Sequence, residues 1–140
     1  MSFVYYNPNP EGKNTSDCVI RALAKFLGLT WMQAYMEICV YGGLNADMPN
    51  TNALWSKYLE SKGYEKHVIK DRCPDCYTLM QFCRNHKYGK FFVSLDVGYA
   101  KLYSTADSGK IDGNHVVCVV DGNYYDTWDS GGEVPIFYWC

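Results

Sequence analysis

Apolar residues recur at helical spacing through the first half of the chain and alternate at strand spacing through much of the second. Val19, Ala22, Leu23 and Phe26 share one face of a helix predicted from about Cys18 to Phe26. The polar run Thr15-Ser16-Asp17 precedes it and Gly28 is its stop. Thr30 caps a second helix, with Gln33 completing a Thr-x-x-Gln capping box and Gly42-Gly43 ending it. Asn50 or Thr51 caps a third, from about Asn52 to Ser61 before Gly63. Near Lys66 the pattern changes. His67–Lys70 predicts a short strand, Thr78–Asn85 a fourth helix and Lys90–Leu95 a strong strand. Val116–Val120 and Tyr124–Trp128 predict a hairpin around Asp121-Gly122-Asn123, and Val134–Trp139 a last strand. Residues 1–17 read as extended, because Asn7-Pro8-Asn9-Pro10 blocks a helix. Asp96 to Asn114 is rich in Gly, Ser and Asp and long enough to gate a site. Helices followed by antiparallel strands predict an α+β fold, with N-terminal helices packed on a C-terminal antiparallel sheet.

Composition narrows the class. A chain of 140 residues suits one domain over 1–140, burying ~68% of its unfolded surface without crosslinks. A net charge of -2 supplies no electrostatic footprint for nucleic acid. No stretch of eighteen apolar residues predicts a membrane span, and the first residues do not resemble a cleavable signal, so the expected location is cytoplasmic. The seven cysteines are odd in number, and several fall inside regular elements, so most are expected to be buried free thiols in a reducing compartment.

Candidate chemistry begins with Cys18. A thiol at a helix start lies among free backbone N–H groups and at the positive end of the helix dipole, and both favour thiolate. His115 stands just before a β-branched strand, and Tyr124-Tyr125-Asp126-Thr127-Trp128-Asp129 returns acids along its hairpin partner. Cysteine, histidine and acid in these settings form the skeleton of a nucleophile site. The hairpin register decides which acid serves. A three-residue loop at Asp121-Gly122-Asn123 sets His115 opposite Asp129 on one face. A two-residue turn sets Asp126 opposite Val119, ~13 Å along the strand from His115. Asp129 is therefore the favoured acid and Asp126 the alternative, with a bulge or another turn able to reverse the choice.

The order of a helix-borne Cys18, a late His115 opening a strand and an acid across the hairpin resembles the papain-like superfamily of cysteine peptidases. Asp17-Cys18 leading into a helix, with His115-Val116-Val117, is closest to its compact, bacteriocin-processing peptidase-like branch. Asp112–Ser130 also looks like small proteins of gut bacteria and their phages that carry a similar Asp-Cys-Val-Ile-Arg-Ala start. The resemblance implies a thiol hydrolase or acyl transferase acting on a peptide, isopeptide or amide bond of a peptide or protein substrate, with no cofactor. It assigns Cys18 as nucleophile, His115 as base and Asp129 as orienting acid. The Cys18 backbone N–H would form half of an oxyanion hole. The family's upstream Gln is replaced here by Gly12 or Lys13, which leaves Asn14 nearest, with Asn7 and Asn9 further back.

A rival reading uses Cys73-Pro74-Asp75-Cys76 with Cys83 and His86, whose ligand types suit a tetrahedral zinc site despite a short spacer. It leads to a non-enzymatic binding domain with a Tyr-rich surface, drawn from thirteen tyrosines. Trp128-Asp129-Ser130-Gly131-Gly132 matches the Asp-Ser-Gly-Gly of chymotrypsin-like serine proteases, but without the structural context of a two-barrel enzyme it reads as a turn.

Overall fold

The computed structural model describes residues 2–70, 77–98 and 113–140. Its elements run in the order β1 (Phe3–Tyr5), α1 (Cys18–Leu27), α2 (Trp31–Leu44), α3 (Asn52–Ser61), β2 (Lys66–Val68), α4 (Leu79–Asn85), β3 (Lys90–Asp96), β4 (His115–Val120), β5 (Asn123–Asp126) and β6 (Val134–Trp139). The helix boundaries follow local signals. Thr30 and Thr78 each form a capping box with the glutamine three residues on, and the Thr51 hydroxyl accepts from the Leu54 N–H. Gly28 ends α1 with a left-handed φ of 68°. The second helix departs from expectation by running through Gly42-Gly43 to Leu44. Gly42 lies in a tight spot, where a Cβ would stand 2.8 Å from the Asp47 carbonyl oxygen.

The fold is α+β, but the sheet is mixed rather than wholly C-terminal and antiparallel. Its order is β1-β5-β4-β3-β6-β2, with β1 parallel to β5 and the other pairings antiparallel. Both edge strands come from outside the C-terminal block. The extended N-terminal segment adds at β5, and the short strand after α3 adds at β6. Neither edge could be read locally, because pairing partners are set by tertiary packing.

Alternation along the central strands divides the core into two layers. Phe92, Val116, Cys118 and Trp139 pack with Leu23 and Phe26 of α1, Ile38 of α2 and Trp55 of α3. Val93, Leu95, Val117 and Val119 pack with Phe82 of α4 and Tyr124. Truncating a fully buried member such as Leu23 to Ala is expected to cost about 2–5 kcal/mol.

The β4–β5 hairpin turns on two residues, Asp121 and Gly122, with φ of 49° and 78°. Positive φ at both centres is the turn whose twist matches a hairpin, and Gly accepts it without strain. Val120 pairs with Asn123, Val119 with Tyr124 and Cys118 with Tyr125. This is neither register considered from sequence. Continued by one step, it sets Asp126 opposite Val117, diagonal to His115 and within side-chain reach.

Candidate active site

Cys18 is the first residue of α1, and His115 is the first residue of β4. Packing α1 against β4 sets the thiol beside the imidazole. His115 Nε2 lies 2.7 Å from Asp126 Oδ2. The Asp126 carboxyl is held below its ordinary value: burial opposes its charge, but hydrogen bonds from His115, Ser130 and the Thr127 backbone outweigh that cost. An ionised carboxylate only accepts, so Nε2 carries the proton and Nδ1 is left for the thiol.

The expected acid therefore changes. Asp129 does not meet His115; it accepts a hydrogen bond from the Tyr124 hydroxyl and another from the Gly131 N–H at 3.1 Å. The physical reason is the two-residue turn, which moves every β5 side chain by one position from the three-residue register.

Asp126 is itself firmly held. Ser130 Oγ donates to Oδ2 at 2.8 Å, and the Thr127 N–H and Arg21 Nη2 donate to Oδ1 at 2.8 and 3.0 Å. Arg21 is buried and bridges on to Asp17, whose second oxygen accepts from Trp31 Nε1 at 2.8 Å. Asp17 makes no side-chain cap on α1; its carboxylate serves the Arg21 pair instead. A buried guanidinium between two carboxylates satisfies three groups that would each be costly alone. The connected chain runs Cys18, His115, Asp126, Arg21, Asp17, Trp31. Neither Arg21 nor Ser130 was legible as a partner of Asp126: the Arg21 contact crosses from α1 to β5, and Ser130 turns back on Asp126 from the loop after β5.

The electrostatics favour an ion pair. At Cys18 burial opposes the thiolate, but hydrogen bonding to His115, the His115 charge, the Val116 backbone and Arg21 together bring the thiol below its ordinary value. At His115 burial opposes the imidazolium, while Asp126 and Cys18 raise it to about 9. Both directions favour thiolate beside imidazolium over the neutral pair.

Two cavities meet at this pair. The larger, about 660 Å³, is lined by Cys18, Asn14, Asn50, His115 and Trp128. The smaller, about 250 Å³, is lined by Cys18, Asn50, Asn52, Gly113 and His115. Trp128 packs on the imidazole with ring centroids 5.2 Å apart. Gly113 permits close approach of the chain entering β4, because a Cβ there would overlap Ser94 Oγ and the Leu95 carbonyl. Asn52 Nδ2 donates to the Gly113 carbonyl at 2.8 Å, and both amide ends of Asn114 bond to Val97. Asn50, which sequence reasoning left only as a helix cap, lines both cavities; Asn14 lines the larger. Asn7 and Asn9 spend their side chains on the loop between residues 7 and 13. Of the expected gating segment, residues 99–112 lie outside the described residues.

The zinc set is not assembled among the described residues. Cys73 and Cys76 lie outside them. Cys83 is buried in the α4 layer, where desolvation pushes its thiol up to about 12. His86 stacks on Phe82 at 3.9 Å and directs Nδ1 to the Phe82 carbonyl. Among the described residues no group of three or more His, Cys, Asp or Glu side chains is placed to hold a metal ion. Cys18, Cys39, Cys83, Cys118 and Cys140 are unbridged. No helix among the described residues is long and apolar enough to cross a membrane.

No protein family matches the chain, and no curated protein or solved structure matches it either.

Proposed function

We propose that this protein is a cysteine hydrolase or acyl transferase of papain-like type, acting through Cys18, His115 and Asp126 on an amide bond of a peptide or protein. The observation that carries the reading is the thiol–imidazole–carboxylate chain at the junction of two cavities, with the thiol lowered and the imidazole raised. Nearness of cysteine to histidine alone would be a weaker signal.

The Cys18 thiolate attacks the carbonyl carbon, forming the S–C bond and moving the carbonyl electron pair onto oxygen. His115 imidazolium gives its Nδ1 proton to the departing nitrogen as the C–N bond breaks, leaving a thioester and an amine. Water or a second amine then attacks the thioester. Neutral His115 takes that nucleophile's proton and the thiolate leaves. Asp126 keeps the Nε2–H tautomer throughout and stabilises the imidazolium. On this reading the free N–H groups opening α1 take the developing oxyanion charge, and Asn50 or Asn14, which line the larger cavity, supply the second donor.

On this reading the chain is one papain-like domain working in a reducing, cytoplasmic setting, without nucleic acid as a partner. The test is labelling with a peptidyl chloromethyl ketone followed by peptide mapping. Selective modification of Cys18, lost in His115→Ala, is the expected result. Indiscriminate labelling that ranks Cys18 with the other thiols would sink the proposal.

A further inference from the structure

The sequence Trp31-Met32-Gln33-Ala34-Tyr35-Met36-Glu37-Ile38-Cys39-Val40-Tyr41-Gly42-Gly43-Leu44 contains one formally charged residue, Glu37. A surface helix ordinarily alternates an apolar stripe with a polar one, and a helix apolar on all sides is normally covered on all sides. Here Ala34, Ile38 and Gly42 are buried against the core. The opposite side carries Met32, Met36, Val40 and Leu44 at four-residue spacing, a continuous ridge. These are far from incidental exposures: Met36 is 53% exposed, Val40 56% and Leu44 81%. Tyr35 and, just past the helix, Met48 are also exposed.

Beside the ridge runs a groove of about 640 Å³ between α2 and α3, with Leu29, Tyr41 and Tyr58 among its lining residues. One surface therefore bears both a ridge and an apolar groove. That is the requirement for an isologous pair, in which each copy inserts its ridge into the other's groove about a two-fold axis. We infer that α2 is the interface of a homodimer, with the two α2 helices crossing along their Met32–Leu44 ridges.

Area and charge support a second copy as the occupant. Met32, Met36, Val40, Leu44 and Met48 are each more than half exposed. They form a contiguous apolar face of the class, roughly 300–600 Å², that marks interaction sites and that an interface of ~800 Å² per partner would cover. The ionic groups at the groove, Glu37 and Lys62, bond to each other at 3.2 Å, so neither brings an uncompensated charge to the two-fold axis. A net charge of -2 per chain opposes association only weakly. The face is separate from the Cys18–His115 cavities, so the inference does not depend on the proposed chemistry.

The experiment is sedimentation equilibrium on the whole chain from ~1 to ~100 μM, a range that spans micromolar affinities. The expected result is a monomer–dimer equilibrium. Val40→Glu, at an exposed position where folding is not at stake, is expected to weaken it at least ~100-fold by placing carboxylates in the apolar contact. Tyr88→Ser removes an equally prominent aromatic elsewhere and is expected to leave it unchanged. A monomer at the highest concentration, in which case the face belongs to another partner, overturns the inference. So does a dimer that Val40→Glu leaves intact or that Tyr88→Ser abolishes.

Discussion

Cys18 with His115 and Cys140 with His67 each set a thiol beside an imidazole, the second pair with 3.5 Å between Sγ and Nε2. The thiols move in opposite directions. Cys18 is lowered, whereas Cys140 is raised by burial and by the Glu65 carboxylate. The difference lies behind the imidazole. His115 backs onto Asp126, which Arg21, Ser130 and a backbone N–H hold in place. His67 stacks on Tyr138 with ring centroids 4.7 Å apart, and the charge that acts on its thiol is of the wrong sign for thiolate. On the proposed reading, a buried acid behind the ring and open space before the thiol are what separate a nucleophile site from a bare thiol–imidazole contact.

The comparison is broken most severely by removing the buried cation. Arg21→Met leaves Asp17 and Asp126 without their shared partner and is expected to lower stability by about 3–5 kcal/mol in urea denaturation. His67→Ala, away from any such network, should stay within about 0.5 kcal/mol.

Next is reactivity. Iodoacetamide at pH 7 should label Cys18 before Cys140, and His115→Ala should slow Cys18 labelling about 100-fold by restoring an ordinary thiol. His67→Ala should leave the Cys140 rate within about twofold. Equal rates for the two thiols in the unmodified protein would erase the distinction.

The pH dependence sharpens it further. If, as proposed, the working pair is thiolate with imidazolium, reactivity toward an amide-like substrate should form a bell. Its acid limb is set by Cys18 below the usual thiol range, as the thiolate takes up a proton. Its alkaline limb lies at about 9, where His115 loses the proton that the leaving group needs. In NMR titration His115 should titrate near 9, and Asp126→Asn should bring it down because the carboxylate that favours the imidazolium is gone.

A smaller effect separates oxyanion stabilisation from nucleophile strength. Asn50→Ala should weaken binding of a peptide aldehyde, which forms a tetrahedral adduct, by about tenfold while leaving alkylation by iodoacetamide unchanged. Loss of both would make Asn50 a structural residue. Smallest is Asp129→Asn, expected to cost about 1 kcal/mol through Tyr124 with no change in Cys18 labelling.

Much of this molecule is written locally. The Thr30–Gln33 and Thr78–Gln81 capping boxes, the Gly28 stop, the apolar face of α1 and the strand core of β3 and β4 all depend on neighbours a few residues apart. So do the placements of Cys18 at a helix start and His115 at a strand start. Tertiary structure decided what local pattern left open. The N-terminal segment became a parallel edge strand because β5 offered it a partner. Arg21 became part of the site because α1 crosses β5. Asp126 rather than Asp129 came to His115 because the hairpin closed on Asp121-Gly122, and strand side chains alternate with a period of two. Residue types and helix phases are properties of short segments, whereas strand register and contacts between distant segments exist only once the chain has packed.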